Sequence, residues 1–373
     1  MFVLVKFTDA CNMACRYCCM GDHAAARRTM SLGDAKLAMG TILDFFKKHG
    51  QEFVENDICF HGGEPSLLPI EYLEALWDII AKSGLDVTIS MQTNMYAISE
   101  DLLELAKKFN VRMSTSIDGP QSIHDKSRTD QLGNGTFTRV VENLNRCRAK
   151  GLKTGVICTL NKHNCKKPLE LYQFFKELGV PYKINWVHKI GNGLSPLINL
   201  SSSEISSTLI SLLDAFLADE SPSVFDDTTA EFMTGVMSGK MVSCAMQGQC
   251  QKEFVCIEAT GDVYPCDAFS YLPNSSRYCF GNILTEGVAV FEHPCRCLLQ
   301  ERDVANIAHC AQCENATICN GGCLLDAVGG DYLYGHSTFC DVYKSVFSHC
   351  RKMCNLMAYS PTNNNNNQGD KQK

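Results

Sequence analysis

The feature that most constrains this chain is the number and placement of its cysteines. It has 22 cysteines in 373 residues. Three of them fall within residues 11–18, and most of the others lie beyond residue 240. A reducing cytosol disfavours structural disulfides and leaves metal binding as the commoner use of so many thiols. The alternative is a secreted disulfide-rich protein, which is disfavoured because the first residues have neither a charged leader nor a signal cleavage site.

The composition excludes several classes of function. Hydrophobic residues make up 45% of the chain and charged residues 20%, as in a globular protein. The apolar runs are too short to span a bilayer, so we expect no membrane helix and a cytoplasmic location. The net charge of -7 argues against a nucleic-acid partner, because phosphate backbones are bound by clustered Lys and Arg.

The first half of the chain alternates short apolar runs with longer amphipathic ones, which predicts repeated βα units and a parallel sheet. The strands are predicted at 2–7, 57–61, 86–91, 111–117, 153–160 and 182–187. Helices are predicted between and after them at 31–49, 70–83, 98–109, 137–150 and 166–178. Six such strands predict an α/β fold, a partial (β/α)6 barrel. Residues that follow the strands would then share one face, where α/β barrels place their chemistry.

The chain is long enough for more than one domain. The barrel is predicted to occupy residues 1–195, followed by a helical linker at 196–243. Residues 244–357 are rich in cysteine and glycine, which is typical of a small unit held by metal rather than by an apolar core. The polar, asparagine-rich tail at 358–373 is predicted to be disordered.

The run CNMACRYC places Cys11, Cys15 and Cys18 in the loop after the first strand. A structural zinc or a closed iron–sulfur cluster takes four protein ligands, whereas three ligands leave one iron free to bind a substrate or cofactor. Zinc with Cys19 as the fourth ligand is the alternative. It is disfavoured because adjacent cysteines do not easily reach one tetrahedral ion.

This spacing, with the aromatic Tyr17 before the third cysteine, resembles the signature of the radical S-adenosylmethionine (SAM) superfamily. In that family the amine and carboxylate of SAM chelate the free iron of a [4Fe-4S] cluster. An electron from the cluster then breaks the cofactor into methionine and a 5′-deoxyadenosyl radical. The resemblance implies that this chain binds SAM and carries out hydrogen-atom chemistry.

Motifs after the later strands extend the resemblance. HGGEP at 61–65 is similar to the element that binds the methionyl amine, and QTN at 92–94 and SIDGP at 116–120 match the family in order and spacing. The usual QTNG is QTNM here, so we expect the turn after Asn94 to be built differently. The residues that the resemblance places around SAM are Gly62, Gly63, Glu64, Asn94, Ser116 and Arg128.

The second cysteine array resembles the SPASM domain, the auxiliary-cluster module of radical enzymes that modify peptides and proteins. Carried over by position, auxiliary cluster I takes Cys244, Cys250, Cys266 and Cys323. Auxiliary cluster II takes Cys310, Cys313, Cys319 and Cys340. The resemblance thus implies three [4Fe-4S] clusters in all; a pair of zinc sites is the alternative for the second array. No role is assigned to the remaining eleven cysteines.

Asp267 follows Cys266 in the run YPCD. In sulfatase-maturating relatives, an Asp at this position is the general base that deprotonates the substrate Cys or Ser. A loop cap or an acceptor for backbone amides is an equally weighted interpretation.

Three functions are compatible with these motifs. The favoured one is maturation of a ribosomally made peptide by crosslinking or epimerisation, because His61 stands where sulfatase maturases usually have Gln. The alternative is anaerobic sulfatase maturation, in which a Cys or Ser becomes formylglycine; the third, a small-molecule radical enzyme, is less favoured. The expected partners are a peptide or protein substrate, an electron donor such as flavodoxin or ferredoxin, and a separate leader-binding protein.

Overall fold

The computed structural model describes residues 1–21, 27–224, 226–248 and 250–358, and an eight-stranded sheet lies at its centre. The strand order is β6-β5-β4-β3-β2-β1-β7-β8. The strands are β1 (Phe2–Val5), β2 (Asp57–Phe60), β3 (Thr88–Gln92), β4 (Arg112–Ser116), β5 (Thr154–Leu160), β6 (Tyr182–Trp186), β7 (Phe254–Ile257) and β8 (Val263–Tyr264).

Strands β1 to β6 pair in parallel with their sequence neighbours and form the open, partial barrel that the sequence predicts. Val3 pairs with Ile58 and Leu4 with Cys59, so the register brings the carboxyl ends of neighbouring strands to one edge. Three of the four residues of β1 are buried, as expected for a strand covered on both faces. The predicted fold class and all six predicted strands are confirmed, with small shifts at their ends.

Helices cover the outside of the sheet and continue into the carboxy-terminal half. The helices are α1 (Leu32–His49), α2 (Ile70–Lys82), α3 (Glu100–Lys108), α4 (Gln121–Ser127), α5 (Phe137–Ala149), α6 (Pro168–Leu178), α7 (Ser202–Ala218), α8 (Asp227–Ser238), α9 (Cys250–Glu253), α10 (Ile283–Glu286), α11 (Pro294–Gln300), α12 (Ala316–Cys319) and α13 (Cys340–Ala358). Ser31, Ser99 and Ser201 cap the amino ends of α1, α3 and α7 by accepting backbone N–H bonds.

The cysteine-rich region is joined to the barrel through the same sheet. Strand β7 pairs in parallel with β1, and β8 then pairs with β7 in the antiparallel sense. Phe45 of α1 stacks on Phe291 at 4.3 Å between ring centroids, which extends the apolar core into this region. Helix α13 packs against α7 and α8, with Phe347 against Phe232. The two regions therefore share one hydrophobic core.

None of the helices in the described residues is long and apolar enough to cross a membrane. The predicted disordered tail lies outside the described residues, apart from Ala358 at the end of α13.

A buried carboxylate caps helix α8. Oδ1 of Asp226 accepts a hydrogen bond from the Thr228 backbone N–H at 3.0 Å, while its buried Oδ2 has no hydrogen-bond partner among the described residues. Burial raises the pKa of Asp226 to about 7. The folded protein thus holds this proton more tightly than the unfolded chain does, so stability falls as the pH rises from about 4 to about 7.

We predict that Asp226→Asn stabilises the protein above pH 7, because Asn keeps the cap without a buried charge. One pKa unit corresponds to about 1.4 kcal/mol, so the gain at pH 8 is roughly 4 kcal/mol at most, and it shrinks towards pH 5. Thermal unfolding of both proteins under anaerobic conditions, followed across this pH range, measures the difference. An equal effect of the substitution at pH 5 and pH 8 would contradict the assignment.

Candidate active site

The carboxyl ends of the barrel strands and one loop of the cysteine-rich region surround a single cleft of about 900 Å³. All the predicted residues of the first cysteine motif, the predicted SAM contacts and the predicted base line this cleft. They are Cys11, Cys15, Cys18, Gly62, Gly63, Glu64, Asn94, Ser116, Arg128 and Asp267.

The loop that carries the first three cysteines is held by the chain at the end of α4. The backbone N–H groups of Ala14 and Arg16 donate to the carbonyls of Thr129 and Ser127 at 2.8 and 2.9 Å. Burial raises the pKa of Cys11 to about 12 and that of Cys15 to about 11. Because metals are bound by thiolates, a bound cluster must displace these protons.

Gly62 and Gly63 allow the loop after β2 to lie directly against this cysteine loop. The N–H of Gly63 donates to the Thr8 carbonyl at 2.9 Å. A Cβ atom on Gly63 would lie 2.3 Å from the Ala10 carbonyl oxygen, and one on Gly62 would lie 2.5 Å from that of Thr8. The glycine pair is therefore required by the approach of two backbones.

Glu64 ties the loops after β2 and β3 together. Its Oε1 accepts from the Thr93 hydroxyl at 2.5 Å, and its Oε2 accepts from the Asn94 N–H at 2.7 Å. The Asn94 side chain in turn donates to Oδ1 of Asn12 at 2.7 Å, and its Nδ2 lies 3.8 Å from Sγ of Cys11. These bonds fix the polar groups that face the first cysteine motif.

Met95 follows Asn94 at the position where the family motif usually has Gly. Met95 adopts a left-handed backbone with φ 52°, the conformation that glycine takes at no steric cost. Its side chain is fully buried, and its carbonyl accepts from Nδ2 of Asn143 at 2.8 Å. Packing and hydrogen bonding therefore offset the strain of a non-glycine residue here.

Arg128 presents a positive charge to the cleft. One guanidinium nitrogen donates to the Tyr17 hydroxyl at 2.8 Å, and that hydroxyl donates to the Asp118 carboxylate, also at 2.8 Å. The Arg128 Nε–H is buried and has no hydrogen-bond partner in the described part of the chain. A buried guanidinium with an unsatisfied donor, beside Ser116 and the three cysteines, fits the carboxylate of a bound amino-acid cofactor.

The second array also assembles as two groups of four. The Cys323 thiol interacts electrostatically with Cys244, Cys250 and Cys266, and the Cys319 thiol with Cys310, Cys313 and Cys340. Burial raises the pKa of Cys319 to about 12. Within the described ranges, no three His, Cys, Asp or Glu side chains form a group that could hold a single metal ion. The thiols around a four-iron cluster bind separate irons, so they do not need to converge on one point.

A buried lysine that sequence reasoning did not single out holds Asp267. Lys6 of the first barrel segment is 1% exposed, and its Nζ lies 2.9 Å from Oδ1 of Asp267 and 3.2 Å from Glu258. It also donates to the Tyr271 hydroxyl at 3.0 Å and to the Asp267 carbonyl. Burial alone would raise the pKa of Asp267, but Lys6 and the nearby histidines outweigh it and lower that pKa to about 2. The signal was available, since a lone Lys interrupts the apolar run FVLVKF.

Two histidines complete the wall of the cleft around Asp267. His61 is partly buried, its buried Nδ1 has no hydrogen-bond partner within the described residues, and desolvation lowers its pKa. His188 follows β6, and its Nδ1 lies 2.9 Å from Oδ1 of Asp326. Neither His188 nor Asp326 was predicted, because only the fold brings the two residues together.

Comparison with known proteins agrees with this geometry. Residues 5–175 match the family model described as "Radical SAM superfamily". The chain contains a radical SAM domain. Residues 5–175 include the three cysteines and every predicted SAM contact. Enzymes of this superfamily use a [4Fe-4S] cluster with SAM as the source of a radical.

Relatives extend the likeness of this radical SAM enzyme beyond the barrel. It is 24% identical to a serine-type anaerobic sulfatase-maturating enzyme of Bacteroides thetaiotaomicron, over 96% of this chain and 91% of the relative. It is 26% identical to a cysteine-type anaerobic sulfatase-maturating enzyme of Clostridium novyi, over 90% of this chain and 91% of that relative.

Two solved structures share the fold of this radical SAM enzyme. Native anSMEcpe with bound AdoMet and Cp18Cys peptide superimposes with a TM-score of 0.80 at 22% identity, covering 96% of this chain and 98% of that one. SuiB of Streptococcus suis bound to precursor peptide SuiA gives a TM-score of 0.65 at 14% identity, covering 91% of this chain and 75% of that one.

We predict that Gly63→Ala impairs the first cluster. The added methyl group overlaps the Ala10 carbonyl. Overpacking of this kind costs about 1–3 kcal/mol, which corresponds to roughly five- to 150-fold in the population of the closed loop. Iron content and 5′-deoxyadenosine release should both fall. The matched control is Gly40→Ala in α1, where a Cβ has open space. Equal iron content and release in the two variants would refute the contact.

We also predict that anaerobically reconstituted protein holds about twelve irons, as three four-iron clusters require. Cys15→Ala should lower the count to about eight and abolish SAM cleavage with dithionite. Iron analysis together with chromatography of 5′-deoxyadenosine measures both. A wild-type count near four irons would show that the auxiliary clusters are absent. Unchanged SAM cleavage by Cys15→Ala would show that Cys15 is not a cluster ligand.

Proposed function

We propose that this radical SAM enzyme matures sulfatases, oxidising a Cys or Ser side chain of the substrate protein to formylglycine. The observation that carries the proposal is the likeness to sulfatase-maturating enzymes of both the serine type and the cysteine type, over nine-tenths of the chain or more. The alignment thus includes the cysteine-rich half as well as the barrel. The sequence-based preference for peptide crosslinking or epimerisation is less well supported, since SuiB shares only the fold.

The residues that line the cleft have different proposed roles. Cys11, Cys15 and Cys18 would hold the cluster, which together with SAM supplies the radical that removes a hydrogen atom from the substrate. Arg128 and Ser116 would hold the cofactor carboxylate, and the loop of Gly62 to Glu64 its amine.

Asp267 is the proposed proton acceptor for the substrate hydroxyl or thiol. It lines the cleft, and its ion pair with Lys6 keeps the carboxylate in the acceptor form at neutral pH. Lys6 is a positioning residue in this proposal: its bonds to Glu258 and Tyr271 hold the ammonium in place.

The auxiliary cysteines would hold two fully ligated clusters. Full ligation keeps their irons from binding substrate, so their proposed roles are electron transfer and support of the loops that carry the cysteines. A flavodoxin or ferredoxin would supply electrons. The proposed substrate is a segment of a sulfatase, which needs no separate leader-binding protein.

Peptide maturation stays the second candidate because His61 precedes the glycine pair and faces the cleft. The test of the first candidate is to incubate anaerobic enzyme, SAM and dithionite with peptides copied from the modified segment of sulfatases. One peptide carries Cys at the modified position and its twin carries Ser. We expect an aldehyde product from at least one of them, detected by mass spectrometry. Release of 5′-deoxyadenosine without an aldehyde from either peptide would favour the second candidate.

We predict that Asp267→Asn spares SAM cleavage and lowers aldehyde formation about 10²- to 10⁴-fold, the range for loss of a general base. Asn keeps the size of the side chain but cannot accept a proton. The ratio of product to 5′-deoxyadenosine separates the two steps, and Asp262→Asn, a change in the turn between β7 and β8, is the matched control. Undiminished aldehyde formation by Asp267→Asn would exclude the base role.

A further inference from the structure

His188, which lines the cleft, forms an acid–base pair with Asp326. His188 follows the last barrel strand, and Asp326 follows Cys323 in the cysteine-rich region. Their side chains meet with 2.9 Å between Nδ1 and Oδ1, and they are 35% and 8% exposed. The imidazole lines the cleft together with Asp267.

The hydrogen bond fixes which ring nitrogen carries the proton. An ionised carboxylate only accepts hydrogen bonds, so Nδ1 of His188 must donate and Nε2 keeps its lone pair. Nε2 has no hydrogen-bond partner among the residues that the structure describes. A histidine held by a carboxylate through Nδ1, with Nε2 open to a cleft, is the arrangement that accepts protons in many enzymes.

Stability alone does not explain this pair. The second oxygen of Asp326 is buried without a hydrogen-bond partner in the described ranges, which is a costly arrangement for a carboxylate. Phe339 packs edge-on against the imidazole ring, with 6.0 Å between centroids, and so restricts its rotation. The His188 ring is therefore held in one orientation, while one oxygen of the Asp326 carboxylate has no hydrogen-bond partner in the described ranges.

The proposed oxidation needs a final site for one proton. Conversion of the substrate side chain removes a hydrogen atom from its β carbon, which goes to the 5′-deoxyadenosyl radical. It also removes one electron, which goes to an iron–sulfur cluster, and one proton from the oxygen or sulfur. The electron pair of the broken O–H or S–H bond then completes the C=O or C=S bond. Water hydrolyses the thioaldehyde formed from Cys to the aldehyde, and the sulfur leaves as hydrogen sulfide.

Resting on the proposed function, we propose that His188, oriented by Asp326, is the group that finally holds the proton lost by the substrate hydroxyl or thiol. The ion pair with Lys6 favours the ionised form of the Asp267 carboxylate, so in this proposal Asp267 makes the first contact with the proton and His188 retains it. The new N–H bond forms at Nε2.

The charges around the imidazole favour this outcome. Burial disfavours the imidazolium ion, but Asp326 and Asp267 together outweigh burial and raise the pKa of His188 above its ordinary value. A proton that reaches Nε2 is thus retained rather than returned to the substrate.

The test compares His188→Asn with wild type on the Cys and Ser peptides. The Asn amide can still donate to Asp326, so the fold and the buried carboxylate keep a partner, but no proton acceptor remains. We expect wild-type release of 5′-deoxyadenosine and a loss of aldehyde of about a hundredfold or more. The loss should be larger for the Ser peptide, because an alcohol is a weaker acid than a thiol. His49→Asn, at the end of α1, is the matched control.

Chemical rescue separates proton transfer from a structural role. His188→Ala opens space at the cleft, and added imidazole should restore aldehyde formation to this variant but not to His188→Asn. Aldehyde formation by His188→Asn at the wild-type rate, or imidazole that restores nothing to His188→Ala, would overturn the inference. If wild type releases 5′-deoxyadenosine but leaves both peptides unchanged, the proposed function fails and the inference falls with it.

Discussion

The architecture of this protein depends on a close approach of two backbones at the carboxyl edge of its sheet. The loop after β1 carries the first three cysteines, and the loop after β2 lies against it with Gly63 where no Cβ fits. Glu64 then ties the second loop to the third through Thr93 and Asn94. Contacts within the protein thus fix three successive strand ends to one another without the help of a cofactor. The sheet, and not a separate apolar core, therefore sets the position of the first three cysteines.

The second constraint is electrostatic. Lys6 is a buried cation on the central segment of the sheet, and its partners Glu258, Asp267 and Tyr271 all belong to the cysteine-rich region. A buried charge is tolerable only when it is paired, so this one residue links the barrel to the other half of the chain. The pairing of β7 with β1 provides the same link through the backbone. Residues from both halves therefore form the cleft, and the proposed base and the proposed cluster cysteines all line it.

Sequence reasoning succeeded where local pattern determines structure. The alternation of apolar runs predicted the six parallel strands of the barrel. It failed where the determinants are distant in sequence. The contact of His188 with Asp326 joins residues 138 positions apart, and the partners of Lys6 lie more than 250 positions away. The left-handed backbone of Met95 was not predicted, because the burial of its side chain, which offsets the strain, depends on residues that are distant in sequence. The preference for peptide maturation depended on the single residue His61, whereas the likeness over nine-tenths of the chain or more favours sulfatase maturation.

The central claim is that three thiols at this edge hold an iron–sulfur cluster with one iron open to SAM. It is tested most directly by electron paramagnetic resonance of the anaerobic, dithionite-reduced protein, recorded without and with SAM. A cluster with an open iron predicts that SAM changes the reduced spectrum of the wild type, and that this change is absent in Cys15→Ala. A spectrum that SAM leaves unaltered, or purified protein that contains zinc and no iron, would contradict the account.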